Sequence, residues 1–498
     1  MEDSLKKRYI VKLLASFIAG IFNIILIAIV PKALGPIAFG QFSYLQQSFS
    51  QVIAFFDAGT STAFFTKLSA KHERKELISF YFLFSVLLLL LLYSFIYLGI
   101  FFGYSDNLLP NIPIDYIYFG LWFGFLTWLT QIYVKISDAY ALTVSVEVIK
   151  ILHKAFSLLL LICFIHYLTF DLSSYFYFHY LSLVSFILII TVLFVKKEIF
   201  TSNMVTFKLA YKQLTSEFIK FSSPLLVFNT VAILIALFDI WLLQKVSGSM
   251  ETGFYGLAYS IAAMCFLFTG SMTPLITREF SKAYEKKEIE KIKKLFKRYV
   301  PMLYAIAAYF GVFISFESEN LIGIFTDEKF QDAYFVLVVM AFYPVHQTYG
   351  QLNGSLFFAM EKTALYRNIG LISALIGLMF TFIFIYMMEL GAVGFAWKMV
   401  LIQIISVNIQ LYFNAKLLNL NILPFLTHQI LSVMFFCAMA FVSTQMIFIG
   451  ENGIMIFLAK GIFYTFLVLV GTMLVPYIFS TNRDEIFGLL NNLKAKVK

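Results

Sequence analysis

Charge and cysteine are both scarce in this sequence, and each shortage excludes a class of protein. Of 498 residues only 13% are charged, about half the share of a soluble globular domain. A chain this long and this poor in charge cannot clothe itself in a hydrated surface, so a bilayer must be the solvent for most of it. The three cysteines, Cys163, Cys265 and Cys437, each lie inside an apolar run without a CxxC partner. That argues against a disulfide framework or a zinc site and leaves them as small packing residues. GxxxxGK[ST], HExxH and GxSxG are all missing, so neither a P-loop nor a hydrolase signature is present. The six histidines have no metal spacing, and His153, His166 and His179 are too spread to share one helical face; they read as interfacial. No cofactor and no metal is expected, and nothing marks the chain as an enzyme.

Apolar residues are abundant: 61% are hydrophobic, with 60 Phe and 29 Tyr. A spanning helix needs about 20 mostly apolar residues, because the hydrocarbon is roughly 30 Å thick and each residue rises 1.5 Å. Fourteen segments qualify: 10–30, 37–60, 77–103, 116–137, 149–169, 174–195, 219–244, 253–276, 299–316, 333–360, 368–388, 394–415, 428–450 and 455–478. The first follows Lys6, Lys7, Arg8 and Lys12 and runs apolar to Val30, longer than a signal peptide's apolar region and without a small-x-small cleavage site. The fold class is therefore an all-α polytopic membrane protein of about fourteen transmembrane helices.

Lys and Arg in short loops set orientation. Residues 1–12 hold four, 61–76 four, 196–220 five, 277–298 nine and the C-terminal tail four. On the opposite side 104–115 and 167–175 hold none, and 317–332 has Lys329 against Glu317, Glu319, Asp327, Glu328 and Asp332. Both termini are thus expected in the cytoplasm. The net charge of +9 is this asymmetry, not a nucleic-acid surface. Loops are short throughout, which leaves no extramembrane domain for a nucleotide or a catalytic centre. In 278–298, Ile289, Ile292, Phe296 and Tyr299 recur at helical spacing among lysines, which predicts an amphipathic helix lying on the inner leaflet.

One motif occurs twice. Lys32-x2-Gly35-x4-Gly40-x-Phe42 follows the first span and Lys245-x2-Gly248-x4-Gly253-x-Tyr255 the seventh, at an offset of 213 residues. Each copy opens an amphipathic helix that ends in a basic loop. Six helices separate the copies, so a duplicated bundle would have both copies in one orientation, related by an axis along the membrane normal. The chain then divides into residues 1–216, 217–420 and a further pair of helices with a tail, 421–498.

Polar residues in spanning helices are costly and mark neighbours or wet cavities. In the second span Ser43, Gln47, Ser50, Ala54, Asp57 and Ser61 fall near one line at 100° per residue, the pattern of a hydrophilic stripe facing a lumen; interhelical hydrogen bonding is the alternative. The tenth span carries Tyr343, His346, Gln347, Gly350, Asn353 and Gly354 around Pro344, as a broken helix lining a path would. The twelfth has Gln403, Ser406, Gln410 and Asn414 on one stripe, with Lys398 off it as a lumen cation or a snorkelling side chain. Glu147, Lys150 and Lys154 form either a self-neutralising face or a cationic mouth. Arg278 is a candidate inner-surface capture site. Asp239, deep in the seventh span, either couples an ion or pairs with a cation on another helix.

The run Leu34-Gly35-Pro36-Ile37-Ala38-Phe39-Gly40-Gln41-Phe42, then Asp57-Ala58-Gly59, resembles the start of Wzx-type polysaccharide flippases of the multidrug/oligosaccharidyl-lipid/polysaccharide exporter superfamily. Asp239 with Gly248, Gly253 and Tyr255, and Gly391-x2-Gly394, resemble later junctions of that family, whereas Asp171-Leu172-Ser173-Ser174 lacks its glycines. The resemblance implies two pseudo-symmetric six-helix bundles in a V plus two C-terminal helices. It implies transport of an undecaprenyl-pyrophosphate-linked oligosaccharide across the bacterial inner membrane, in O-antigen and lipopolysaccharide synthesis, beside polymerase and chain-length proteins. Gln, Ser, Asn and Tyr would suit sugar hydroxyls, and cations the pyrophosphate. An ion-coupled multidrug antiporter, a lipid II flippase and a membrane polymerase or ligase are the alternatives.

Overall fold

The computed structural model describes residues 5–70, 74–201, 211–445 and 453–482. Lys71, Lys208, the basic tail beyond 482 and the end of the thirteenth expected span lie outside the described residues. Among the described residues there is helix and no strand, in two compact units, residues 1–253 and 254–498.

The first unit contains α1 (Leu5–Asp57), α2 (Thr60–Ala70), α3 (Glu76–Phe101), α4 (Ser105–Leu108), α5 (Ile114–Ala139), α6 (Thr143–Tyr167), α7 (Leu172–Lys196) and most of α8 (Tyr211–Ala262). The second contains α9 (Phe266–Glu285), α10 (Ile289–Phe316), α11 (Ser318–Phe325), α12 (Ala333–Met340), α13 (Tyr343–Ala359), α14 (Thr363–Thr381), α15 (Gly391–Leu417), α16 (Leu423–Gln445) and α17 (Gly453–Leu474).

Eleven helices among the described residues are long and apolar enough to span a membrane. Two are double length: Phe17–Asp57 has 41 residues and Asn229–Cys265 has 37, against about 20 for one crossing. Each is interrupted at one glycine. Gly35 has φ 76°, ψ 167° and Gly248 has φ 83°, ψ −178°, a region that is essentially glycine-only. Counting these two as pairs, and adding α12 with α13 as one interrupted crossing, recovers the fourteen spans. The break in that crossing falls at Ala341 and Phe342, just before Pro344, where the missing N–H sits in the first turn of the new helix at no cost. The turn into α7 does without glycine because Asp171 Oδ1 accepts the Ser174 N–H at 2.8 Å, an N-cap.

Lipid offers no hydrophobic drive for helix association, so close packing over small residues carries it. In the first unit Phe49 of α1 lies over Gly120 and Gly124 of α5, where added Cβ atoms would stand 2.8 and 2.9 Å from its side chain. In the second, Gly311 of α10 lets the Ala341 carbonyl approach within 2.6 Å of where a Cβ would be, against the break in the tenth crossing.

Two expectations fail here. The 278–298 run is not a helix lying on a leaflet. α9 continues to Glu285, Lys287 turns the chain at φ 58°, and α10 starts at Ile289 and runs unbroken into its span. Its apolar face, Ile292 and Phe296, is fully buried in the second unit's core, with the Phe296 ring 5.5 Å from that of Phe425. Periodicity revealed the face, and protein rather than lipid covers it. Nor is His179 interfacial: its ring stacks on Phe42 at 5.2 Å and packs edge-on against Tyr175 at 4.5 Å. The cysteines are free, as expected, with Cys265 buried and Cys163 exposed.

Candidate functional site

The polar stripe of the second crossing divides along its length. Ser50 is exposed and Gln47 partly so, while Ser43, Asp57 and Ser61 are buried. Asp57 is saturated. Its Oδ1 accepts Thr60 Oγ1 at 2.9 Å, Tyr81 OH at 2.9 Å and the Ser61 N–H at 3.1 Å; its Oδ2 accepts Ser61 Oγ at 2.8 Å. Lys135 Nζ donates to Ser61 Oγ at 2.7 Å. Ala58 and Gly59, both at positive φ, end α1 and let the carboxylate cap α2. One acid therefore ties α1, α2 and α3 together, with Lys135 of α5 joined through Ser61. Tyr81 and Lys135 gave no sign of this role, because neither shares a helix or a periodic pattern with Asp57.

Lys154 projects from α6 onto the first half of α1, donating to Asn23 Oδ1 at 3.0 Å and the Ala19 carbonyl at 3.5 Å. Glu147 is occupied by Lys150 at 2.8 Å, so Lys154 carries no carboxylate of that face. Asn23 was missed because one amide in an apolar run has no periodic signature. Asp239 is 5% exposed and engaged by other groups. An almost wholly apolar cavity of about 440 Å³, lined by Tyr44, Phe49, Phe95, Ile100, Leu237 and Trp241 among others, lies within the first unit. Its walls suit a hydrocarbon chain and offer little to a sugar.

In the second unit Tyr343, Gln347 and Gly350 lie along the partly exposed edge of α13. Gln403 of α15 sits over Gly350, with Nε2 2.9 Å from where a Cβ would stand. Tyr343, Gln347 and Gln403 thus form one neutral patch, while His346 and Asn353 of the same crossing turn inward. Asn414 Nδ2 donates to Asn353 Oδ1 at 2.9 Å and to its carbonyl at 3.0 Å. Lys398 does not snorkel: it is 5% exposed, with Nζ 5.2 Å over the Phe395 ring and its chain against Gly377 of α14. Arg278, near the end of α9, is exposed. The structure therefore gathers Tyr343, Gln347 and Gln403, sets Gln47 and Ser50 on a second exposed stripe, and withdraws Asp57, Asp239 and Lys398 into packed surroundings.

Among the described residues no group of three or more His, Cys, Asp or Glu is placed to hold a metal ion. The α13–α15 edge suits reversible hydrogen bonding to a polar, uncharged ligand, since amides both donate and accept.

A family model described as "Polysaccharide biosynthesis protein" matches residues 5–274. A curated relative, the probable low-salt glycan biosynthesis flippase Agl15 of Haloferax volcanii, is 26% identical over 164 residues, 32% of this chain and 33% of the relative; the match spans about a third of that relative's length. Among solved structures, the lipid II flippase MurJ in an inward closed conformation aligns with TM-score 0.69 at 15% identity, over 93% of this chain and 98% of the other. A multidrug resistance MATE family transporter of the MOP superfamily aligns in its inward-facing form with TM-score 0.59 at 16% identity, over 84% and 96%. An outward-facing MATE transporter gives 0.58 at 16% identity, over 83% and 96%. These likenesses establish the fold.

Proposed function

We propose, from the premise that this chain belongs to the polysaccharide biosynthesis protein family, that it is a flippase for a lipid-linked oligosaccharide. In this reading it moves the saccharide from the cytoplasmic to the outer leaflet of a bacterial inner membrane, with both termini in the cytoplasm. The carrier is undecaprenyl pyrophosphate, and the saccharide is a repeat unit of O-antigen type. The observation that carries the reading is the patch of Tyr343, Gln347 and Gln403 on the partly exposed edges of two spanning helices. Amides and a phenol at membrane depth are costly unless something polar meets them, and this set contains no carboxylate.

Arg278 captures the pyrophosphate at the inner surface, and Lys154, held in place by Asn23, receives it. A charge crossing hydrocarbon bare would meet a prohibitive desolvation cost, which a cation in a poorly screened site offsets. The sequence has no P-loop motif, so the energy comes from an ion gradient, the membrane potential or consumption of cargo on the far side, with alternating access as the mechanism. Asp57 belongs to the frame of the first unit and is not a cargo contact.

Two measurements test this. In a host lacking its own flippase, Lys154→Ala should lower surface polysaccharide at least tenfold with unchanged protein level, and Lys154→Arg should restore part of it. If Lys154→Ala exports normally, the pyrophosphate is met elsewhere. If the intact chain confers drug efflux and exports no saccharide, it is a multidrug antiporter and the saccharide reading is wrong. For orientation, reporter fusions at Ser281 and Glu319 should report opposite sides of the membrane; one side for both refutes the topology.

A further inference from the structure

Lys245, a fixed position of the repeated motif, stands at the edge of the apolar cavity in the first unit. Its Nζ lies 4.7 Å over the ring of Trp241, and Trp241 lines that cavity of about 440 Å³. The buried side chains of Tyr44 and Phe49 on α1, Ile96 on α3 and Ile117 on α5 form the inner wall. Phe95 of α3 and Phe238 of α8 are 47% and 36% exposed and stand at the opening. The short helix α4 closes one end. Tyr44 OH donates to the Leu108 carbonyl at 3.3 Å, and Trp241 Nε1 donates to the Asn107 carbonyl at 2.7 Å. With the phenol and the indole N–H engaged in this way, the wall they leave is hydrocarbon.

Size, depth and charge each constrain what fills it. A cavity of about 150 Å³ takes one benzene, so this one takes roughly three times as many carbons, about eighteen, which is one acyl chain. A polyprenyl carrier is several times longer. The lining includes the end of α3 up to Ile100 and the part of α8 just before its break at Gly248. The chain therefore lies in the leaflet on the side of α4, with Trp241 where an indole sits at a membrane interface. Lys245, one turn beyond Trp241, is exposed, and so is Asp106, the residue before Asn107. Trp241 brings the two to one mouth, because its N–H holds the Asn107 carbonyl and its face carries Lys245. Neither enters an ion pair among the described residues. One cation and one carboxylate at the mouth match a phosphate and a primary ammonium.

We propose that this cavity binds one acyl chain of a phosphatidylethanolamine-type phospholipid, whose phosphate meets Lys245 and whose ammonium meets Asp106. This lipid is neither cargo nor carrier, and the site stands apart from the saccharide reading above. The competing account is a plain crevice occupied by whichever boundary lipid is nearest.

Trp241 serves as the reporter. With Trp122→Phe, Trp128→Phe and Trp397→Phe it is the one indole left in the chain. The full chain is placed in phosphatidylcholine vesicles containing a minor share of lipid brominated on the acyl chain, and quenching of Trp241 fluorescence is read. Brominated phosphatidylethanolamine should quench at a concentration about threefold lower than brominated phosphatidylglycerol or phosphatidylcholine, the scale of one exposed ion pair. Asp106→Asn should erase that advantage. Val52→Phe and Ile100→Phe, which fill the cavity from α1 and from α3, should at least halve quenching by all three lipids at unchanged unfolding temperature. Equal quenching by the three lipids in the parent overturns the proposal. Quenching that neither filled variant reduces also overturns it, since a boundary crevice behaves that way. If unlabelled polyprenyl phosphate relieves the quenching at a lower concentration than unlabelled phosphatidylethanolamine does, the occupant is the carrier and the assignment is wrong. Should the filled variants or the single-indole chain fail to accumulate, native mass spectrometry of the unaltered chain decides: retention of phosphatidylethanolamine over the other two lipids supports the site, and equal retention refutes it.

Discussion

Two polar clusters, one in each unit, solve the same problem, polar groups inside a bilayer, in opposite ways. The first unit buries a charge and surrounds it: Asp57 receives hydroxyls from Thr60, Ser61 and Tyr81 and a backbone N–H, and Lys135 is joined through Ser61. The second unit buries a pair of charges too, Glu317 with Lys460 at 3.0 Å, but its α13–α15–α16 cluster uses neutral amides, Asn353 with Asn414 and Asn408 with Gln429 at 3.0 Å, and leaves acceptors such as Gln410 Oε1 and Asn414 Oδ1 without a protein partner. A charge has to be fully satisfied and so becomes rigid framework. Amides tolerate partial satisfaction, so the neutral cluster can keep acceptors without a protein partner where the charged one cannot.

The largest expected effect tests the charged side of this contrast. Asp57→Ala removes four hydrogen bonds, orphans the Ser61 N–H, leaves the Thr60, Ser61 and Tyr81 hydroxyls short of an acceptor and takes away the carboxylate nearest the Lys135 ammonium. It should destabilise the protein by roughly 3 kcal/mol or more, since unmade bonds to buried polar and charged groups are expensive. Thermal unfolding in detergent should show a clear loss, with Asp57→Asn in between. If Asp57→Ala keeps its stability and loses transport, the acid is functional and the contrast breaks.

The amide side predicts a smaller and reversible effect. Asn414→Leu alone should cost about 1–3 kcal/mol by orphaning Asn353, whereas the double change of Asn353 and Asn414 to Leu should recover much of that, because removing both partners is cheaper than removing one. A double-mutant cycle on unfolding measures the coupling. Additive losses would show that the pair is not acting as a unit.

The smallest effect lies at the basic end of the first unit, outside the lipid. Glu217 takes Lys67 at 3.2 Å and Arg74 at 3.3 Å. Partial burial pushes its carboxyl up, but the bonds and charges of the two cations more than offset this and hold it below its usual range. Because the folded value is the lower one, this link stabilises above the ordinary carboxylate range and is lost as pH falls through the depressed value. Glu217→Gln should cost no more than about 1 kcal/mol, as exposed pairs do, and should flatten the stability profile only at acidic pH. An equal loss at pH 7 and pH 4 would assign Glu217 to packing instead.

The sequence made the architecture legible because two of its signals are local. Runs of about twenty apolar residues give the crossings, and the Gly-x4-Gly spacing marks the two turns that fold identically. It could not show which side of a polar helix stays open. Ser50 and Asp57 stand on one stripe, yet the first is exposed and the second buried, since a period of 3.6 defines a face and not what covers it. The same gap made the Ile292–Phe296 face look like a membrane-surface helix, and it hid Asn23, Tyr81 and Lys135, whose partners are distant in the chain. The patch of Tyr343, Gln347 and Gln403 was half legible: each residue drew attention by its polarity, and their convergence depends on Gly350 admitting Gln403.

A Cβ on Gly40 would stand 1.7 Å from the Ser249 carbonyl oxygen and one on Gly253 2.4 Å from the Pro36 carbonyl oxygen, one contact made twice with the partners exchanged, and it has a historical consequence. If the two halves descend from one shorter gene whose product paired with itself, that ancestor had a single glycine codon at this crossing. Any mutation there altered both sides of the axis at once, adding two methyls where neither fits. Fusion separated the codons and allowed each glycine to be lost alone. Either loss would still place a Cβ against backbone, so duplication gave this position no spare copy: two codons now stand where one would have done, and both remain indispensable to the contact.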